Sequence, residues 1–124
     1  MRERVIKALR GAVRAANNKE DIAAAAVQLY DELLRLNGLA EGDLVSLFFS
    51  VTGDLDALNP ATALRRAGKA GDLAMMVLRE AAVEGTPPGI IRVLAHCVMD
   101  RETPVRHAYF RGAEILRPDR AAGA

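Results

Sequence analysis

Gly89-Ile90-Ile91-Arg92-Val93-Leu94-Ala95-His96-Cys97-Val98 is a short apolar run, β-branched at its start and entered from Thr86-Pro87-Pro88-Gly89. That pattern predicts a buried β-strand. Alternation puts Ile91, Val93, Ala95 and Cys97 on one face and Ile90, Arg92, Leu94, His96 and Val98 on the other. Arg92 is the anomaly. A guanidinium keeps its proton, so burying it requires an anionic or strongly polar partner. Glu80, twelve residues upstream across the Pro-Pro-Gly turn, is the nearest sequence candidate. The two form either a structural ion pair or part of a site for an anionic ligand.

The chain has 124 residues, 51% of them hydrophobic and 27% charged, which fits one globular domain. A net charge of +1 gives no reason to expect nucleic acid or an anionic membrane as partner. Aromatic residues at 4% and the absence of Trp weaken base stacking further. Arg outnumbers Lys 14 to 3, through codon bias or because Arg grips carboxylates in a bidentate way that Lys cannot. The single cysteine, Cys97, excludes an internal disulfide framework and reads as a small core hydrophobe. No apolar run reaches the length of a membrane span, and Lys7 and Arg10 break up the stretch a signal peptide would need. A cytoplasmic protein is the expectation.

Outward from the Arg92 run, Val5–Val13 reads as a first strand, with Arg10 in the otherwise apolar row of Ile6, Ala8 and Ala12. Gly11 beside it permits close backbone approach or a bulge. Asn17-Asn18 caps a helix from about Lys19 to Leu36, with Glu20 and Asp21 in its first turn and Asn37-Gly38 at its end. Leu44–Val51 is a second strand, with Val45, Leu47, Phe49 and Val51 on one face. Asn59-Pro60 starts a second helix that holds Thr62, Arg65 and Arg66 and ends near Gly68. Leu73–Leu78 is a third strand leading to Glu80. Val105–Arg111 is a further strand, with Val105, His107, Tyr109 and Arg111 on one side, and Ala113–Leu116 a short last strand or extended segment. The order predicts an α+β fold, a mixed β-sheet with helices on one face. One domain spans 1–119, and 120–124 is expected to be a flexible tail. The strands after Pro88 and before Pro118 carry few charges to guard an edge, which points to a closed homo-oligomer.

Arg10, Arg65, Glu80, Arg92, Tyr109 and Arg117 are the polar groups on or beside strands. No nucleophile–base pair stands out, and His96 and His107 read as satisfied core or surface histidines. One Cys and two His eleven apart match no metal-ligand spacing, and there is no glycine-rich phosphate loop. Charge placement is therefore the expected chemistry, and an arginine-lined cleft suits a small dicarboxylate.

Leu9-Arg10-Gly11-Ala12, Phe49-Ser50-Val51-Thr52-Gly53-Asp54-Leu55, Asn59-Pro60-Ala61-Thr62-Ala63-Leu64-Arg65, Ile91-Arg92-Val93, Arg106-His107-Ala108-Tyr109 and Leu116-Arg117-Pro118-Asp119 follow one another in the order and spacing of a known family. The chain resembles the AroH-class monofunctional chorismate mutases, collinearly from about Val5 to Asp119. The resemblance implies a homotrimer of pseudo-α/β-barrel form (the ferredoxin-like, bacillus chorismate mutase-like fold), with clefts between subunits. It implies conversion of chorismate to prephenate without cofactor or metal, in the biosynthesis of Phe and Tyr. It assigns Arg92 to the ether oxygen, Arg10 and Tyr109 to the enolpyruvyl carboxylate, and Glu80 to the ring hydroxyl. Arg65 and Arg117 would serve carboxylate binding and closure, and Asn59, Thr62, Val77 and Leu116 would complete the substrate-binding cleft. Asn59 stands where the family usually has an aromatic residue, Thr62 where a lysine is frequent, and Val77 where a Cys can stand. The alternatives are a mutase acting on a related cyclohexadiene ether, a silent dicarboxylate-binding trimer, and a purely structural trimer with every arginine internally paired.

Overall fold

The computed structural model describes residues 2–117. Five strands form one sheet in the order β3-β2-β4-β1-β5: β1 (Arg4–Arg14), β2 (Leu44–Val51), β3 (Ala74–Arg79), β4 (Ile90–Asp100) and β5 (Ala108–Phe110). β4 is antiparallel to β1 and β2, whereas β2–β3 and β1–β5 are parallel. The sheet is therefore mixed, as expected, and two helices, α1 (Lys19–Asn37) and α2 (Pro60–Arg66), cover one face.

The helix ends follow from their caps. The Asn18 side chain accepts the Asp21 N–H, and Gly38 at φ 61° closes the far end. The core lies between helices and sheet. Ile22, Leu29 and Leu33 of α1 meet Leu9, Val13, Leu47, Phe49, Ile91, Val93, Ala95 and Cys97, the odd-numbered residues of the strands. At Gly11 a Cβ would lie 2.7 Å from the Ala108 carbonyl oxygen and 2.9 Å from Leu29, so the residue serves close approach and not a bulge.

Among the described residues the opposite face carries no helix. Ile6, Met76, Leu78 and Leu94 stand exposed on it. The Arg92 strand, β4, is the centre of the sheet and not an edge; it lacks guarding charges because both its flanks are paired. The edges are β3 and β5.

Other expectations shift. A bulge between Leu44 and Ser46 turns Leu44 toward the core and leaves Val45 exposed, against simple alternation. The strand expected over Val105–Arg111 shrinks to Ala108–Phe110, which pairs with Gly11–Val13; beside Arg10 the His107 side chain, not its backbone, takes the β1 amide. Its far end is broken by Arg111 at φ 55°. Glu114–Leu116 is a 3₁₀ turn, closed by Leu116 N–H to the Ala113 carbonyl, and not a strand. The tail expected at 120–124 lies outside the described residues, as do Pro118 and Asp119 of the last motif.

Candidate active site

The strand register lines up one row across the helix-free face: Tyr109 on β5, Ala12 on β1, Arg92 on β4, Ser50 on β2 and Leu78 on β3. Glu80 follows β3 by one residue, and its N–H donates to the Val51 carbonyl at 2.8 Å, which extends the β2–β3 ladder to it. Two residues beyond Leu78, its side chain falls on the same face. It reaches over Ser50, and Glu80 Oε1 lies 2.6 Å from Arg92 Nε. The pairing expected from sequence is present.

The pair is incompletely satisfied. Arg92 Nε and Glu80 Oε2 are buried atoms without a hydrogen-bond partner among the described residues. The approach is close, but the Nε–H does not point along it. An orphaned buried polar atom costs about 1–3 kcal/mol, and a native structure keeps one only for a reason. Arg92 is less buried than its strand position suggested, with its side chain 37% exposed against 20% for Glu80. The rest of the guanidinium can thus meet an anion from outside.

Arg10 lies one same-face step along β1 from Ala12, opposite Leu94, and is exposed. Tyr109 is almost buried and packs with Ala12, Ile90 and Ala113, with Leu116 of the 3₁₀ turn against them. Arg117 follows that turn, its N–H donating to the Glu114 carbonyl. Two residues along the chains from Ser50 and Arg92, Thr52 is tied to Ile90: its N–H donates to the Ile90 carbonyl at 3.1 Å and its Oγ1 accepts the Ile90 N–H at 3.0 Å. The Thr52 hydroxyl in turn holds the Asp54 carboxyl below its ordinary range.

Four of the sequence-identified residues are not gathered on this face. Asn59 is the N-cap of α2, and its oxygen accepts from Ala61 and Thr62 N–H. Thr62 and Arg65 ride on α2, which packs on α1 and β3 on the helix side. Val77 pairs with Phe49 and packs against the core. Ser50 and His107 are not among the site residues the sequence points to. Parity put Ser50 opposite the core face, but Arg92 as its neighbour depends on register; the role of His107 depends on a contact 97 residues away in sequence.

Among the described residues no cluster of His, Cys, Asp and Glu could hold a metal ion, and no helix is long and apolar enough to cross a membrane. A half-buried cation beside a carboxylate, with a second arginine and a phenol on the same face, can bind an anionic ligand and stabilise charge developing on an oxygen.

A family model described as chorismate mutase type I matches residues 6–120. The chain is 36% identical over 120 residues to chorismate mutase AroH of Thermus thermophilus, covering 93% of this chain and 96% of that protein. It is 29% identical over 117 residues to chorismate mutase AroH of Bacillus subtilis, covering 93% and 92%. Its fold matches the structure of a chorismate mutase from Clostridium thermocellum with a TM-score of 0.82 and 37% identity, over 88% of this chain and 98% of that one. With the Arg92–Glu80 pair and its row in place, the chain belongs to the type I, AroH-class chorismate mutases.

Proposed function

We propose that this protein is a chorismate mutase, an isomerase that converts chorismate to prephenate by a [3,3] rearrangement. The observation that carries the reading is the Arg92–Glu80 pair, 2.6 Å apart, with one buried polar atom of each lacking a hydrogen-bond partner among the described residues. In the rearrangement the carbon–oxygen bond breaks ahead of carbon–carbon formation, so negative charge gathers on the ether oxygen. A fixed guanidinium there stabilises the transition state more than the ground state, which is what acceleration requires. Arg92 takes this role. Glu80 Oε2 is left to accept the ring hydroxyl, and Arg10 with Tyr109 to receive the enolpyruvyl carboxylate. No proton need move.

One preorganised donor contributes about 3–4 kcal/mol, whereas enzymes rarely lower a barrier by less than about 8 kcal/mol. Holding the flexible substrate in its compact chair-like conformer must supply the remainder.

We infer further that the working form is a homotrimer with clefts between subunits. Two things support this: the exposed apolar residues of the helix-free face, and the position of Asn59, Thr62 and Arg65 on the helix side of the sheet, away from the Arg92 row. Arg65 then joins the carboxylate-binding set of the adjoining subunit, and Arg117 closes the cleft.

The test is direct. Purified protein should deplete chorismate absorbance and yield prephenate with no metal or nucleotide added. Chorismate binding without prephenate would leave a silent binding module.

A further inference from the structure

We propose that His107 is a positioning residue for Arg10, whose unprotonated Nδ1 anchors the backbone amide from which Arg10 reaches substrate. The role of Arg10 rests on the reading given under Proposed function; the contact itself does not. Arg10 N–H donates to His107 Nδ1 at 2.9 Å.

Three observations give this bond weight. First, Arg10 sits where β1, paired with β4 on one side, has no β5 partner on the other. The β1–β5 ladder begins only at Gly11–Ala108, so the imidazole takes the place of a missing strand residue beside Arg10. Second, His107 is itself held firmly. The preceding residue, Arg106, is clamped by Asn37 at the end of α1, whose Nδ2 donates to the Arg106 carbonyl at 2.9 Å and whose Oδ1 accepts the Arg106 N–H at 2.8 Å. The following residue, Ala108, is locked against Gly11, where no Cβ would fit. Third, His107 is only 9% exposed, so water does not readily replace it as acceptor. The Arg10 guanidinium, by contrast, is exposed and makes no ion pair among the described residues, so its starting point is set through the main chain.

A nitrogen that accepts an N–H carries no proton. Protonating the ring at Nδ1 turns the acceptor into a donor facing a donor and pushes the two backbones apart. Histidine is the side chain whose ordinary charge change falls between about pH 5 and 8, so acidification is the direction that removes this anchor. Arg10, whose amide the ring holds, and Arg106, which precedes it in the chain, are charged residues placed beside His107 by bond or by sequence. The cations keep their charge through the window, and carboxylates normally titrate below it. His96, the other histidine, bonds Ser46 on β2 and serves as the internal control.

The experiment combines chorismate kinetics from pH 5.5 to 8 with ¹⁵N imidazole NMR of the wild-type protein. The expected result is a wild-type KM that rises several-fold on acidification while kcat changes less, and an unprotonated Nδ1 at pH 8. His107→Ala should raise KM at every pH. His107→Asn, whose Oδ1 replaces Nδ1 as acceptor and does not titrate, should restore most of the binding and flatten the profile. A protonated Nδ1 at pH 8, or an Asn variant that keeps the wild-type acid limb, overturns the inference. Wild-type protein with no turnover refutes the enzymatic reading instead, and the NMR result still decides whether Nδ1 is the acceptor.

Discussion

Arg92 Nε and Glu80 Oε1 lie 2.6 Å apart, yet Arg92 Nε and Glu80 Oε2 have no hydrogen-bond partner among the described residues. The pair is neutralised as charge but unsatisfied as hydrogen-bonding chemistry. A purely structural ion pair at the centre of a sheet would be expected to satisfy both groups, because each orphan opposes folding.

Replacing Arg92 should therefore remove activity more than stability. Arg92→Ala is expected to lower kcat/KM by about 10²–10³-fold or more, the cost of one preorganised donor to a developing oxyanion. Arg92→Lys should also be poor, since a single ammonium cannot both face Glu80 and reach an oxygen in a fixed fork. Steady-state chorismate kinetics decide it, and more than about a tenth of the activity remaining in the Ala variant would contradict the ether-oxygen role.

The uncovered sheet face predicts assembly. Wild-type protein should run as a trimer in light scattering. Ile6→Glu places a charge at an exposed position, where a lone chain tolerates it. It should dissociate the trimer and abolish turnover while circular dichroism stays unchanged. A monomeric wild type with full activity would rule out clefts shared between subunits.

Gly11→Ala puts a methyl group 2.7 Å from the Ala108 oxygen, which is backbone and cannot swing aside. Overpacking of this kind costs about 1–3 kcal/mol. It also parts β5 from β1, so a lower urea midpoint should come with a raised KM. An unchanged midpoint would show that β5 is not held as tightly as this contact requires.

Tyr30 and Glu41 give a pH dependence of stability. The Tyr30 hydroxyl donates to Glu41 Oε2 at 2.5 Å, and the Ala70 N–H donates to the same oxygen at 2.6 Å. Burial, reinforced by Glu41 as acceptor, pushes the phenol well up; the phenol, and after it the Ala70 amide, hold the Glu41 carboxyl below its ordinary value of 4.5. A carboxyl depressed in the folded state stabilises the fold above its unfolded value, and that contribution is lost as pH falls through the folded one. Urea midpoints should thus decline below about pH 4.5, and Tyr30→Phe should flatten the decline without abolishing it, because the Ala70 donor remains. Superimposable pH profiles for the two proteins would show that the bond contributes nothing.

Sequence alone determined the features that arise from neighbours along the chain. The Asn18 and Gly38 caps bound α1 to within one residue, the run Leu44–Val51 gives β2 its ends though not the facing of Val45, and the parity of Ile91 and Arg92 separates the core face from the opposite one. These are local effects of fixed period and of capping chemistry. The resemblance carried the motifs in order, but not which side of the sheet Asn59, Thr62, Val77 and Arg65 would take. Tertiary structure decided that β4 is central, that β5 keeps three residues, that Ser50 stands beside Arg92, and that His107 meets Arg10. Register, bulges and side-chain-to-backbone bonds join residues far apart in sequence. No local pattern encodes which of several compatible partners a strand will take; that choice is made by the packing of the whole sheet against α1.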